Sequence, residues 1–195
     1  MAALTLSTKR LVVTLPQEDQ AAAMLDFVER NREHLKPWNP PVPEGLYTLA
    51  HWQDVVKNCS IAFDAGRAVR FWMASLEYPD RVIGSIGYSQ IARGPFCACV
   101  LGYQLDSENE GRGLMAEALR ATNRYMFEEQ KLHRIAANYR PDNMRSGRLL
   151  AKLGFRIEGF ARAYLFIDGA WRDHILTSIT NDVFNAGWLR ETPRV

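Results

Sequence analysis

Between Val100 and Leu119 the chain changes periodicity abruptly, and this change limits the folds open to it. Val100 to Leu105 is apolar and aromatic, as a strand requires. Gly111 and Gly113 then bracket Arg112, and from Leu114 the apolar residues Leu114, Ala118, Ala121 and Tyr125 recur at helical spacing. The stretch therefore reads as strand, glycine turn, helix. Arg134 to Tyr139 is a second strand after that helix, so the whole forms a βαβ unit whose strands are expected to be parallel, with a right-handed crossover. Glycines let the backbone come close to a ligand, and the first N–H groups of a helix have no internal partner. Those donors, at the positive end of the helix dipole, suit a phosphate or pyrophosphate.

The rest of the chain surrounds this unit with alternating elements. Leu11 to Leu15 is a short strand ended by Pro16, and Gln17 to Arg32 carries a helical apolar stripe with acids near its start. The segment His34 to Pro43 holds four prolines and Trp38, a composition expected to exclude helix and to make a stiff aromatic loop at the rim of a cleft. Thr48 to Ala65 is a second helix, with Thr48 as its N-cap and Gly66 as its stop. Val69 to Tyr78, Val82 to Ile91 and Phe96 to Leu105 are strands joined by short turns, hence antiparallel neighbours. Gly84 and Gly87 mark a bulge or a close ligand approach in the second of them. A helix begins at Pro141-Asp-Asn143 and runs to Leu153, stopped by Gly154. Phe155 to Phe166 and Arg172 to Thr180 flank an Asp168-Gly169 hairpin turn. This order gives an α/β fold with a sheet of mixed direction, in one domain spanning 1–195 with its core at about 8–182.

Charge and cysteine usage narrow the function classes. Lys and Arg total 24 against 22 Asp and Glu, so no basic excess is available for a nucleic-acid backbone. Cys59, Cys97 and Cys99 form neither a paired framework nor a metal-ligand spacing with histidines, and are expected to be reduced packing thiols with no metal site. No apolar run is long enough for a membrane helix, and Met1 to Lys9 lacks the apolar core of a signal peptide, so a cytoplasmic protein is expected. A sheet edge can be left bare, covered or paired, which leaves monomer and dimer both open.

Three anion-binding patterns compete for the glycine turn. A P-loop fails because no Gly-Lys-Ser/Thr follows the glycines. Gly111-Arg-Gly113-Leu-Met-Ala116 matches a dinucleotide fingerprint literally, but it lies after antiparallel strands and lacks a second mononucleotide-binding half. The third pattern, Gln/Arg-x-x-Gly-x-Gly/Ala, fits best. Glu110-Gly-Arg-Gly113-Leu-Met115 resembles the acetyl-CoA loop of the Gcn5-related N-acetyltransferase (GNAT) family, with Glu110 where Gln or Arg is usual and Met115 in place of the last small residue. Asn143-Met-Arg-Ser146-Gly-Arg-Leu-Leu-Ala-Lys-Leu-Gly154-Phe155 is similar to that family's later helix. Asn31-Arg-Glu-His-Leu-Lys-Pro-Trp38, Arg134-Ile-Ala-Ala-Asn-Tyr139 and Ile167-Asp-Gly-Ala-Trp-Arg-Asp-His174 resemble its ribosomal-protein alanine N-acetyltransferase (RimJ-like) subgroup.

The resemblance implies a GNAT fold: a mixed, mostly antiparallel sheet with a central parallel pair splayed around acetyl-CoA, and helices on both faces. It implies transfer of acetyl from acetyl-CoA to the N-terminal α-amine of an alanine on a small-subunit ribosomal protein. A small-molecule amine acceptor, and a non-catalytic acetyl-CoA-binding or ribosome-associated protein, are the alternatives. The implied cofactor contacts are Tyr103, Gln104, Leu105, Glu110, Gly111, Arg112, Gly113, Leu114, Met115, Asn143 and Ser146. The strands are expected to part after Leu105, freeing backbone donors for the thioester oxygen. Asn143 and Ser146 lie three apart and share a helix face; Asn143 is also a natural helix cap. Ser146 resembles the hydroxyl near the sulfur, and Leu150 stands where many members carry a tyrosine. Trp38 and Asp173 are expected at the acceptor. Glu117 is a candidate catalytic group, and the general base stays open among Glu117, Asp106, Asp173 and His174.

Overall fold

The computed structural model describes residues 4–191. Among these, eight strands form one sheet in the order β1-β2-β3-β4-β5-β6-β8-β7. They are β1 (Thr5–Ser7), β2 (Leu11–Thr14), β3 (Val69–Ser75), β4 (Val82–Ala92), β5 (Ala98–Leu105), β6 (Arg134–Tyr139), β7 (Arg156–Ile167) and β8 (Ala170–Thr180). Every pairing is antiparallel except that of β5 with β6. The helices are α1 (Ala21–Arg30), α2 (Arg32–Leu35), α3 (Leu49–Asp64), α4 (Leu114–Glu128), α5 (Met144–Lys152) and α6 (Trp188–Glu191).

Alternation along β3 divides the core. Phe71 and Met73 enter one buried cluster with Leu114, Met115, Ala118, Leu119 and Met126 of α4. Trp72, between them, faces the other way and joins Met24, Phe27 and Val28 of α1 and Trp52 and Val56 of α3. Helices thus cover both faces of the sheet. Cys97 and Cys99 are buried with Leu101 on the α4 face, and burial pushes the Cys99 thiol up to about 12, as suits a packing residue.

The predicted caps hold. Thr48 Oγ1 accepts from His51 N–H at 3.3 Å, and Asn143 Oδ1 accepts from Ser146 N–H at 3.1 Å. Asp168 and Gly169 both adopt positive φ, as a tight hairpin turn demands. Three readings need correction. The first helix is broken at Asn31, whose buried amide bonds Phe27 O and Ser107 N–H instead of continuing the helix. The proline-rich loop is not free of helix: α2 covers Arg32–Leu35, and Lys36–Trp38 is a 3-10 turn with Pro37 in its first positions, where a missing N–H costs nothing. β1 carries too short an apolar signal to be read from sequence; it exists because β2 supplies its pairing partner.

Gly84 is required by crowding. A Cβ there would lie 2.7 Å from Met73 Sδ and 2.8 Å from Gln104 O, beside the register shift at Met73/Ala74. Gly87 is different, since nothing lies within 4 Å of where its Cβ would be.

Candidate active site

β5 and β6 pair only from Ala98 to Val100 against Arg134 to Ala136. Beyond that they part, so the gap opens at Val100, not after Leu105 as the sequence led us to expect. The backbone groups of 101–105 that would have met β6 face the gap instead. A cavity of about 1550 Å³ passes through it, open to α4 and α5 on one face of the sheet and to α1, α3 and the Trp38 turn on the other.

On the α4 face the glycine turn is held in a conformation few residues tolerate. Gly111 and Gly113 have φ of 74° and 73°, and Gly113 is the N-cap of α4. Gly111, Gly113, Leu114 and Met115 line the cavity, whereas the Arg112 side chain does not. The turn is stapled from outside. Arg10 Nη1 donates to Arg112 O at 3.0 Å, while its Nε donates to Glu117 Oε2 at 2.7 Å and its backbone N–H to Oε1 at 2.9 Å. Thr8 Oγ1 adds a third donor to Glu117 at 2.7 Å. Burial raises the Glu117 pKa, but the bonds from Thr8 and Arg10 outweigh it and hold the carboxyl below its usual range. Because the folded value is depressed, the staple is fully present above the ordinary glutamate pKa of about 4.3 and is lost as pH falls through the lower folded value.

Glu117 lies outside the cavity, with both oxygens engaged. With acetyl-CoA on the glycine turn, as the family resemblance implies, Glu117→Gln is therefore expected to raise the KM for acetyl-CoA about fivefold and leave kcat within twofold, in steady-state assays. A base at this position would show the opposite split.

Glu110 is the departure from the familiar glycine-turn pattern, and its surroundings account for it. Its carboxylate is ion-paired with Arg145 of α5 and lies 3.2 Å from His34 Nε2. The negative Glu110 side chain beside the glycine turn is thus offset by neighbouring donors, and it ties the turn to both α5 and α2. Arg148 and Lys152 of α5 also line the cavity. They were not singled out from sequence, although their spacing of four places them on one helix face with Arg145. Asn143 and Ser146 line the cavity as expected. Ser146 Oγ is 2.7 Å from Tyr103 Oη, so β5 brings a tyrosine to this serine although the helix has Leu150 at the position often taken by one. Burial pushes the Tyr103 phenol up to about 12, against the opposing effect of the Ser146 bond. Tyr103 was expected to act through its backbone; its hydroxyl is what tertiary structure adds.

On the other face, Trp38 is half-buried and lines the cavity, with the Arg140 guanidinium 5.1 Å from its ring centroid. Arg140 Nη1 also donates to Pro37 O at 2.6 Å, and Gln104 Nε2 donates to Asn39 Oδ1 at 2.6 Å. The aromatic turn is therefore fixed to β5 and to the end of β6. Leu105 lines the cavity beside Gln104.

The four candidate bases separate clearly. Asp106 is 1% exposed, and both Arg30 Nε and Nη2 lie 2.8 Å from its Oδ2, away from the cavity lining. Asp173 is exposed and its Oδ1 accepts from Ala163 N–H at 2.8 Å, where Ala163 has a φ of 47° at the β7 irregularity. It holds that bulge and does not line the cavity. Of the four, His174 alone lines it. Its Nδ1 is 3.0 Å from Arg172 O, which can only accept, so Nδ1 carries a proton, and in the neutral ring the lone pair is on Nε2. Its ring lies 5.4 Å from that of Tyr164, whose hydroxyl accepts from Asn138 Nδ2 at 3.1 Å.

Residues 10–156 match the model of the acetyltransferase (GNAT) domain. The chain is 43% identical over 182 residues, 93% of each sequence, to the ribosomal protein uS5-alanine N-acetyltransferase of Escherichia coli (strain K12). Among solved structures, it is similar to the ribosomal-protein-S5-alanine acetyltransferase of Vibrio fischeri, with a TM-score of 0.89 and 38% identity over 93% of this chain and 99% of that one. It is also similar to Mycobacterium smegmatis RimJ in complex with CoA-disulfide, with a TM-score of 0.83 and 27% identity over 98% of this chain and 89% of that one.

Proposed function

The chain belongs to the GNAT acetyltransferase family, and on that premise we propose that it transfers acetyl from acetyl-CoA to the α-amine of an N-terminal alanine on a ribosomal small-subunit protein. The observation that carries the acceptor is the 43% identity, over 93% of the chain, to a uS5-alanine N-acetyltransferase. Among the described residues no helix is long and apolar enough to cross a membrane.

The two faces of the gap divide the chemistry. Acetyl-CoA takes the α4 face, its pyrophosphate on the N–H groups from Gly111 to Met115, its pantetheine arm beside Asn143, and Arg145, Arg148 and Lys152 near its phosphates. The acceptor amine enters beside Trp38 on the other face. Unpaired backbone N–H groups of β5 stabilise the negative charge that develops on the thioester oxygen. A protein α-amine has a pKa of about 7.7–8.0, so a fraction is neutral at pH 7, and His174 Nε2 accepts its proton as the C–N bond forms. Ser146, hydrogen-bonded to the protonated Tyr103, donates to the sulfur as the C–S bond breaks. The sulfur leaves as a thiolate hydrogen-bonded to Ser146 and takes a proton from water, while His174 returns the amine's proton to solvent, so the products are the acetylated amine and the free thiol.

Incubation with acetyl-CoA and peptides differing only at the first residue, followed by mass and by thiol release, tests this reading. Acetylation of the α-amine is expected, with alanine favoured. Robust acetylation of small amines with none of any alanine-initiated peptide would overturn it.

A further inference from the structure

On the acceptor face the cavity continues away from the gap as a groove between α3 and the sheet, reaching Cys59 and Ala62 of α3. One row of its floor crosses three strands. Arg70 of β3 is in register with Gly87 of β4, and Gly87 with Gly102 of β5. Cross-strand partners place their side chains on the same face. Neither glycine has positive φ, and a Cβ at either would meet nothing within 4 Å. Backbone conformation and crowding therefore do not call for glycine here, and glycine inside a strand lowers stability relative to alanine. What the pair does provide is a bare floor on which another backbone can lie close.

The row ends at a cation. Arg70 is exposed, lines the cavity and has no hydrogen bond, ion pair or ring contact among the described residues. Other arginines of this face are engaged: Arg30 by Asp106, Arg32 over the Tyr47 ring, and Arg140 by Asp142 and Trp38. The Cys59 thiol is close enough to feel the Arg70 charge, although burial has the larger effect on it. Strands are spaced about 4.8 Å apart, so Arg70 stands about 10 Å from Gly102 across the sheet, and an extended peptide covers that span in about three residues.

We propose that this row is an acceptor subsite: the first residues of the acceptor chain cross Gly102 and Gly87, and Arg70 binds a carboxylate side chain at the third or fourth residue. The inference rests on the acceptor being a polypeptide N-terminus, as proposed above. A guanidinium offers a planar pair of donors that matches a carboxylate, so acidic side chains are selected over amides of the same shape.

The test compares alanine-initiated peptides carrying Glu, Gln or Lys at positions 3 and 4, with wild-type enzyme and with Arg70→Gln and Arg70→Glu. Arg70 is exposed and unpartnered, so these variants retain the fold. The wild type is expected to favour the Glu peptides about tenfold in kcat/KM, mainly through KM. Arg70→Gln should erase that preference with the KM for acetyl-CoA unchanged, and Arg70→Glu should reverse it toward Lys at the same positions. Equal discrimination by wild type and Arg70→Gln would overturn the subsite while leaving the acceptor reading intact. No acetylation of any peptide, with acetyl-CoA still bound, would overturn the acceptor reading and the subsite together.

Discussion

His174→Ala is expected to lower kcat for an alanine-initiated peptide about a hundredfold, at the lower end of what a positioned base contributes, because the α-amine is already partly neutral. The KM for acetyl-CoA should stay within twofold, since His174 faces the acceptor side of the gap. The reasoning is geometric. A backbone carbonyl at 3.0 Å fixes the tautomer, burial to 2% exposure fixes the ring, and Nε2 has no hydrogen-bond partner among the described residues. His174→Gln, which keeps more of the volume, guards against a fold defect, and thermal unfolding of both variants reports on it. A folded variant that retains more than a third of wild-type kcat would remove His174 from the mechanism. Ser146→Ala should cost less, about tenfold, because it only assists a leaving group that is stable as a thiolate; an effect as large as that of His174→Ala would reverse their ranking.

Asp106→Ala is expected to lower stability by about 3 kcal/mol, read as a fall in the urea midpoint at constant slope. The carboxylate is 1% exposed and bonded by two nitrogens of Arg30, and its Oδ1 accepts from Glu108 N–H at 3.1 Å. Removing it strands a guanidinium that is only about one-fifth exposed. Breaking a fully buried pair costs about 3–5 kcal/mol, and the exposure of Arg30 places the expected loss at the low end. The same carboxylate joins α1 to the strand that leads into the glycine turn, so the destabilised protein should also bind acetyl-CoA more weakly. A midpoint shift worth less than about 1 kcal/mol would show that Arg30 finds other partners, Val82 O and Asp26 among them.

These two aspartate and histidine positions illustrate how far sequence reasoning reached. His174 and Asp106 were both named as candidate bases, on residue type alone. Nothing local distinguishes them. Asp106 is held away from the cavity by Arg30, which is distant in the chain, and His174 is brought to the cavity by strand pairing. Glu117 was named as a candidate catalytic carboxylate, and its partners, Thr8 and Arg10, lie more than a hundred residues earlier. Asp173 was named as a candidate base and expected at the acceptor, yet successive side chains on a strand point to opposite faces, and it serves the bulge at Ala163.

Local rules determined much of the rest. The spacing of apolar residues set α3, α4 and α5, and the caps Thr48 and Asn143 fell where a side-chain oxygen can meet a free N–H. The glycines at 111 and 113 declared a tight turn because positive φ is costly for any residue with a Cβ. Strand order near the turn followed from short connections and the βαβ rule. Tertiary structure alone decided where β5 and β6 separate, which tyrosine meets Ser146, and that Arg70, Gly87 and Gly102 form one row. The physical reason is that caps, turns and periodicity are settled within a few residues of backbone. A cavity, by contrast, is made by what distant strands and helices leave unfilled, and no short segment encodes the space between its neighbours.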